Sequence, residues 1–83
     1  MTVLYFAWVK EKVGQSEEIV TPPSDVTSVA QLMDWLSTRS PRHAQAFKDS
    51  RLIKAAVDQV HVPPSASISG AREIAFFPPV TGG

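Results

Sequence analysis

Cysteine is absent from the 83 residues. That excludes a disulfide framework, a thiolate zinc site, a cysteine nucleophile and an iron–sulfur cluster. It suits a reducing compartment, and a cytoplasmic location is the expectation. An excess of one charge is missing too, since eight Lys+Arg balance eight Asp+Glu. The basic surplus that neutralises a phosphate backbone is not there, so no nucleic-acid partner is expected. No run approaches the ~20 apolar residues of a membrane span. The opening, Met1 to Lys10, is apolar but lacks a basic n-region and a cleavage site; it reads as a strand rather than a leader, and no membrane partner is expected. The four glycines are Gly14, Gly70, Gly82 and Gly83, a spacing that forms no phosphate-cradling loop. The two histidines, His43 and His61, lack the context of a catalytic triad, and no His-Glu-x-x-His or close acid pair is present. No metal, no intrinsic cofactor and no side-chain active site are therefore expected.

What remains is a globular composition, 43% hydrophobic and 19% charged. At 83 residues there is room for one domain, which buries about 60% of the surface its unfolded chain exposes. Residues 2–9 are β-branched and aromatic and predict a strand. Alternation puts Val3, Tyr5, Ala7 and Val9 on one face and Leu4, Phe6 and Trp8 on the other. Residues 10–16 read as a polar turn pivoting on Gly14, with Glu17 to Thr21 returning as the hairpin partner before Pro22-Pro23. Ser28 with Gln31 fits a capping box, and Thr27 or Asp25 could cap instead. Val29, Leu32, Met33 and Leu36 then form one apolar helical stripe. Ser40-Pro41 ends that helix and opens a shorter one through Ala44 and Phe47. Residues 52–57 and 60–62 predict two strands about an Asp58-Gln59 turn, and residues 72–77 a last strand. The pattern is an α+β mixed sheet with one main helix on one face. Its other face is left uncovered.

The C-terminus stands apart. Pro78-Pro79 stiffens the exit from the last strand, and the chain ends on Val80-Thr81-Gly82-Gly83. A diglycine end is the thinnest peptide available and can enter a channel that rejects side chains. Its carboxylate is inert until activated, for example as an acyl-adenylate. Two terminal glycines are also what a frayed end looks like. Parity weighs against that: if Ile74 and Phe76 face the helix, Phe77 joins Leu4, Phe6 and Trp8 on the open face beside the tail. Exposed apolar patches of this kind mark partner surfaces.

The ending Ala75-Phe76-Phe77-Pro78-Pro79-Val80-Thr81-Gly82-Gly83 resembles the signature of the small-subunit family of molybdopterin synthase, ubiquitin-like β-grasp sulfur carriers. Val3 to Ala7, Lys10-Glu11 and Val13-Gly14 resemble the family's opening, Val26 to Leu32 its helix start, and Ala55 to Gln59 a further segment. Two departures are Asp58, where asparagine is usual, and Ser69-Gly70-Ala71-Arg72, where acidic residues commonly flank the glycine. The resemblance implies a β-grasp domain over residues 1–79 with a flexible tail over 80–83. It implies that an adenylyltransferase uses ATP to activate Gly83 and that a sulfurtransferase system converts it to a thiocarboxylate. Gly82 and Thr81 lead that end into a pocket of the large subunit. There the sulfur attacks cyclic pyranopterin monophosphate, and two deliveries build the dithiolene. The implied assembly is a heterotetramer in which this chain donates sulfur and the large subunit supplies the catalytic side chains. Phe6, Phe77, Leu4 and Trp8 form the docking patch, with His61 and Lys10 at its rim. A carrier for thiazole synthesis or tRNA thiolation, a ubiquitin-like protein modifier and a plain binding module remain alternatives.

Overall fold

The structure is a computed structural model and describes residues 1–79. The elements run β1 (Thr2–Tyr5), α1 (Ala7–Val13), β2 (Glu17–Ile19), α2 (Val29–Ser37), α3 (Pro41–Ala46), a 3-10 turn (Ser50–Leu52), β3 (Lys54–Val57), β4 (Val60–Val62) and β5 (Glu73–Phe77). The sheet order is β2-β1-β5-β3-β4. β1 and β5 are parallel at the centre, and every other pairing is antiparallel.

The first strand is shorter than its composition predicts. β1 stops at Tyr5, and residues 7–13 form a helix instead of completing a strand and a turn. Ala7 makes the break at φ 53°, in the left-handed region. Alanine gives no turn signal there, because a Cβ disfavours that conformation. Val9 and Val13 are both buried. Their i, i+4 spacing is one helix face, although Val9 also continues the alternation begun by Val3 and Tyr5. Gly14 ends α1 at φ 92°, its N–H donating to the Lys10 carbonyl. The Arg42 guanidinium adds two bonds there, from Nε to the Lys12 carbonyl at 3.1 Å and from Nη2 to the Glu11 carbonyl at 2.9 Å.

Elsewhere the local chemistry works as expected. Ser28 and Gln31 make the reciprocal capping box of α2. Ser40 caps α3 and Pro41 fills its first turn. Asp58 and Gln59 both take positive φ in a two-residue hairpin between Val57 and Val60, the combination a primed turn requires. Asp58 Oδ1 also accepts from the Arg72 and Glu73 amides, at 3.0 Å each, which fastens the hairpin to the start of β5.

One face of the sheet carries the core. Val3, Tyr5, Ile74 and Phe76 meet Val9, Val29, Leu32 and Leu36, all at 1% exposure or less. Each such side chain contributes roughly 1.5–3 kcal/mol of burial. Phe47 closes the cluster edge-on to Phe76, with centroids 5.3 Å apart. At the edge beside β2, the register of Glu18 with Val3 turns the carboxylate toward the helices. Tyr5 donates its hydroxyl to Glu18 Oε1 at 2.5 Å, and the buried His43 ring sits 2.7 Å from the same oxygen. The other His43 nitrogen lies 2.7 Å from Ser40 Oγ. A half-buried acid is thus satisfied by a tyrosine, an imidazole and the Gln15 amide, as a buried polar group must be.

Candidate functional site

The opposite sheet face is covered by no described helix. Strand registry builds it row by row. Glu17, Leu4, Ala75, Ala56 and His61 lie side by side across all five strands. One row further, Phe77 faces Lys54. Ala56 and Ala75 make a shallow floor, and Leu4 and Phe77 stand over it half-buried. The His61 ring rests on Phe77 with centroids 5.1 Å apart. Phe6, 49% exposed, follows β1 and donates its amide to the Phe76 carbonyl at 3.0 Å. It therefore reaches the same end of the sheet as Phe77.

Parallel pairing explains why this end is special. β1 and β5 finish together, and β3, antiparallel to β5, begins there. Phe6, Phe77 and Lys54 thus surround the point from which Pro78 and Pro79 lead toward the terminus. Pro79 itself borders a small hollow with Phe77, His61, Lys54 and Val62.

The structure brings together Leu4, Phe6, Phe77 and His61 among the residues the sequence singled out. Lys10 is exposed on α1. Trp8 does not take the open-face position that alternation gave it. Because the chain turns at Ala7, Trp8 lies on α1 and lines a cleft with Lys12, α3 and the 3-10 turn, on the helix side. Thr81, Gly82 and Gly83 lie outside the described residues. Sequence reasoning missed Lys54 and the alanine floor, because their place depends on the β3–β5 register. Only the alternation of residues 54–57 hinted at which of them point outward.

Chemically, this surface is mainly apolar. Among the described residues, no group of three or more His, Cys, Asp or Glu side chains could hold a metal ion. Nor, among those residues, is any helix long and apolar enough to cross a membrane. An apolar patch with one cation and one imidazole at its rim has the make-up of a protein interface core.

Comparison with known proteins fits this geometry. The ThiS family model matches residues 3–83.
The chain belongs to the ThiS family.
Among curated members, the molybdopterin synthase sulfur carrier subunit of Escherichia coli is 41% identical over 81 residues, covering 98% of this chain and 96% of that one. The protein of the same name from Haemophilus influenzae is 30% identical over 83 residues, covering 100% and 99%. Among solved structures, a putative molybdopterin converting factor subunit 1 from Pyrococcus furiosus superposes with a TM-score of 0.74 at 24% identity, covering 95% of each chain. SAMP1 from Haloferax volcanii gives 0.72 at 22% identity, covering 100% of this chain and 98% of that one. These two likenesses support the ubiquitin-like β-grasp fold; among the described residues it carries the predicted main and shorter helices, α2 and α3, and a third, α1, where the sequence predicted the end of a strand and a turn.

Proposed function

We propose that the protein is the sulfur-carrier subunit of a molybdopterin synthase and that Gly83 is its working group. The observation that supports this most is the family match running to Gly83, onto a tail that leaves the sheet between Phe6, Phe77 and Lys54. The chemistry balances without any side chain of this protein. The Gly83 carboxylate attacks the α-phosphate of ATP on an adenylyltransferase, forming an acyl-adenylate and releasing pyrophosphate. Sulfide-level sulfur (HS⁻) delivered by a sulfurtransferase system attacks the acyl carbon, the bond to AMP breaks, and a thiocarboxylate is left. In the large subunit, that sulfur attacks cyclic pyranopterin monophosphate, and water takes the acyl group back to the carboxylate. Two rounds supply both sulfurs of the dithiolene. The chain is then the donating half of a sulfurtransferase, most simply as two carriers flanking a dimer of large subunits. ATP is the activating partner's cofactor. The cytoplasm is the matching location.

The open face supplies the docking energy, and the diglycine supplies passage. The test is reconstitution with the large subunit and pyranopterin substrate. Thiocarboxylated wild-type chain should yield dithiolene. Thiocarboxylated Gly82→Val should bind but transfer sulfur at least about tenfold more slowly, because bulk enters a channel shaped for a bare backbone. Equal rates would contradict the reading, as would unfolding of the variant.

A further inference from the structure

β5 is the middle strand of the five, so the row Glu17, Leu4, Ala75, Ala56 and His61 has Ala75 at its centre. Leu4 and Ala56 lie one strand to either side, and Glu17 and His61 occupy the two outer strands. Turned over about the line of β5 and laid on itself, this row matches. Glu17 meets His61, a carboxylate against an imidazole. Leu4, half-buried above the floor, meets Ala56, which is 6% exposed, a knob over a shallow hollow. One row nearer the terminus, Phe77 meets its own copy and Phe6 meets Lys54, a ring against a cation. Glu17, His61 and Lys54 are exposed and have no ion-pair partner among the described residues.

We propose that the open face pairs with the same face of a second copy, about a two-fold axis along β5. A two-fold contact uses one patch twice, so the patch must complement itself, as this one does in charge and in shape. Sheets packed face to face keep their strands within about 30° of each other, and an axis along β5 satisfies that. One contact opposes the pairing: Glu73, on β5 one row further from the terminus, meets its own copy.

The size of the face sets the strength. Four strand spacings of ~4.8 Å by about four residues of strand give on the order of 300 Å² per copy. A stable interface needs ~800 Å² a side. The dimer is therefore weak, with a Kd on the order of 0.1 mM. It covers Leu4, Phe6 and Phe77, the residues that the carrier reading gives to the large subunit. The free carrier thus shields its apolar face with a second copy, and a partner that binds more tightly opens the pair. That role rests on the carrier reading above; the pairing itself rests on the strand register.

Sedimentation equilibrium of the full chain between ~10 µM and ~1 mM tests the pairing, and the wild-type chain should pass from monomer to dimer over that range. Glu17→Lys and His61→Glu should each weaken the dimer at least about fivefold, and the two together should restore it to within about twofold of wild type. Within one chain the two positions are four strands apart, ~19 Å, too far to touch, so rescue reports a contact between copies. Glu73→Gln should tighten the dimer, and added large subunit should dissolve it. A chain still monomeric at ~1 mM would overturn the inference. So would single variants with wild-type affinity, a folded double variant without rescue, or a dimer that persists on the large subunit. A dimer that behaves as expected, from a thiocarboxylated chain that yields no dithiolene, would instead remove the carrier reading and leave the pairing in place.

Discussion

Glu18 shows how a single side chain ties β2 to the helices. Burial pushes its carboxyl up, but the hydrogen bonds from Tyr5 and His43, helped by the Arg39 charge, outweigh that and hold it below the ordinary glutamate range. A carboxyl lowered by folding stabilises the fold above its unfolded pKa and loses that contribution as pH falls through the folded value. Tyr5 moves the other way: burial first, then the Glu18 carboxylate, raises its phenol well above the usual value. Its contribution is therefore present below about pH 10 and lost above it. Urea unfolding of Glu18→Gln should show a deficit of about 1–3 kcal/mol at neutral pH, narrowing as the medium is acidified below pH ~4. A deficit independent of pH would mean that shape rather than charge is what Glu18 supplies. On the open face, Phe77 is the complementary case. Half-buried, with the His61 ring tilted against it at 45°, it is expected to contribute more to association than to folding. Phe77→Ala should weaken large-subunit binding at least about tenfold while the melting temperature falls by only a few degrees. Unchanged affinity with a collapsed melting temperature would place Phe77 in the core instead.

At the scale of elements, α1 carries the main lesson. Its C-terminus depends on Gly14, where a Cβ would sit 2.8 Å from Arg42 Nε in a backbone at φ 92°. Gly14→Ala should cost about 1–2 kcal/mol and lower the melting temperature by roughly 5–10 °C; a neutral outcome in a thermal melt would show that Arg42 and the loop yield freely. Gly14 was legible in the sequence as a pivot, but the helix before it was not. Val3, Tyr5, Ala7 and Val9 satisfy a two-residue period. Val9 and Val13 satisfy the helical one as well, and the left-handed Ala7 that decides between them carries no turn signature. By contrast, α2 was legible because three independent signals agreed: the Ser28–Gln31 box, the apolar stripe and the Ser40-Pro41 stop. The parity of Phe77 with Leu4 was readable because both sit in true strands. Trp8 was misplaced because its strand had already ended. Lys54 and the Ala56–Ala75 floor needed a strand register that no local pattern encodes.

As a whole molecule, the chain sets one open surface beside one exit. Parallel β1 and β5 gather Phe6, Phe77 and Lys54 at a single end of the sheet. The helices fill the other face and leave this one free for a partner. On the carrier reading, the body's part is to place the root of the tail, at Pro78-Pro79, beside an apolar face. The most direct check is the intact mass of the chain isolated from cells that contain the activating system. Replacing the terminal oxygen of Gly83 by sulfur predicts a species heavier by about 16 Da, absent when Gly83 is deleted. Only the unmodified mass in those cells, or the same gain without Gly83, would contradict a carrier that works through its last residue.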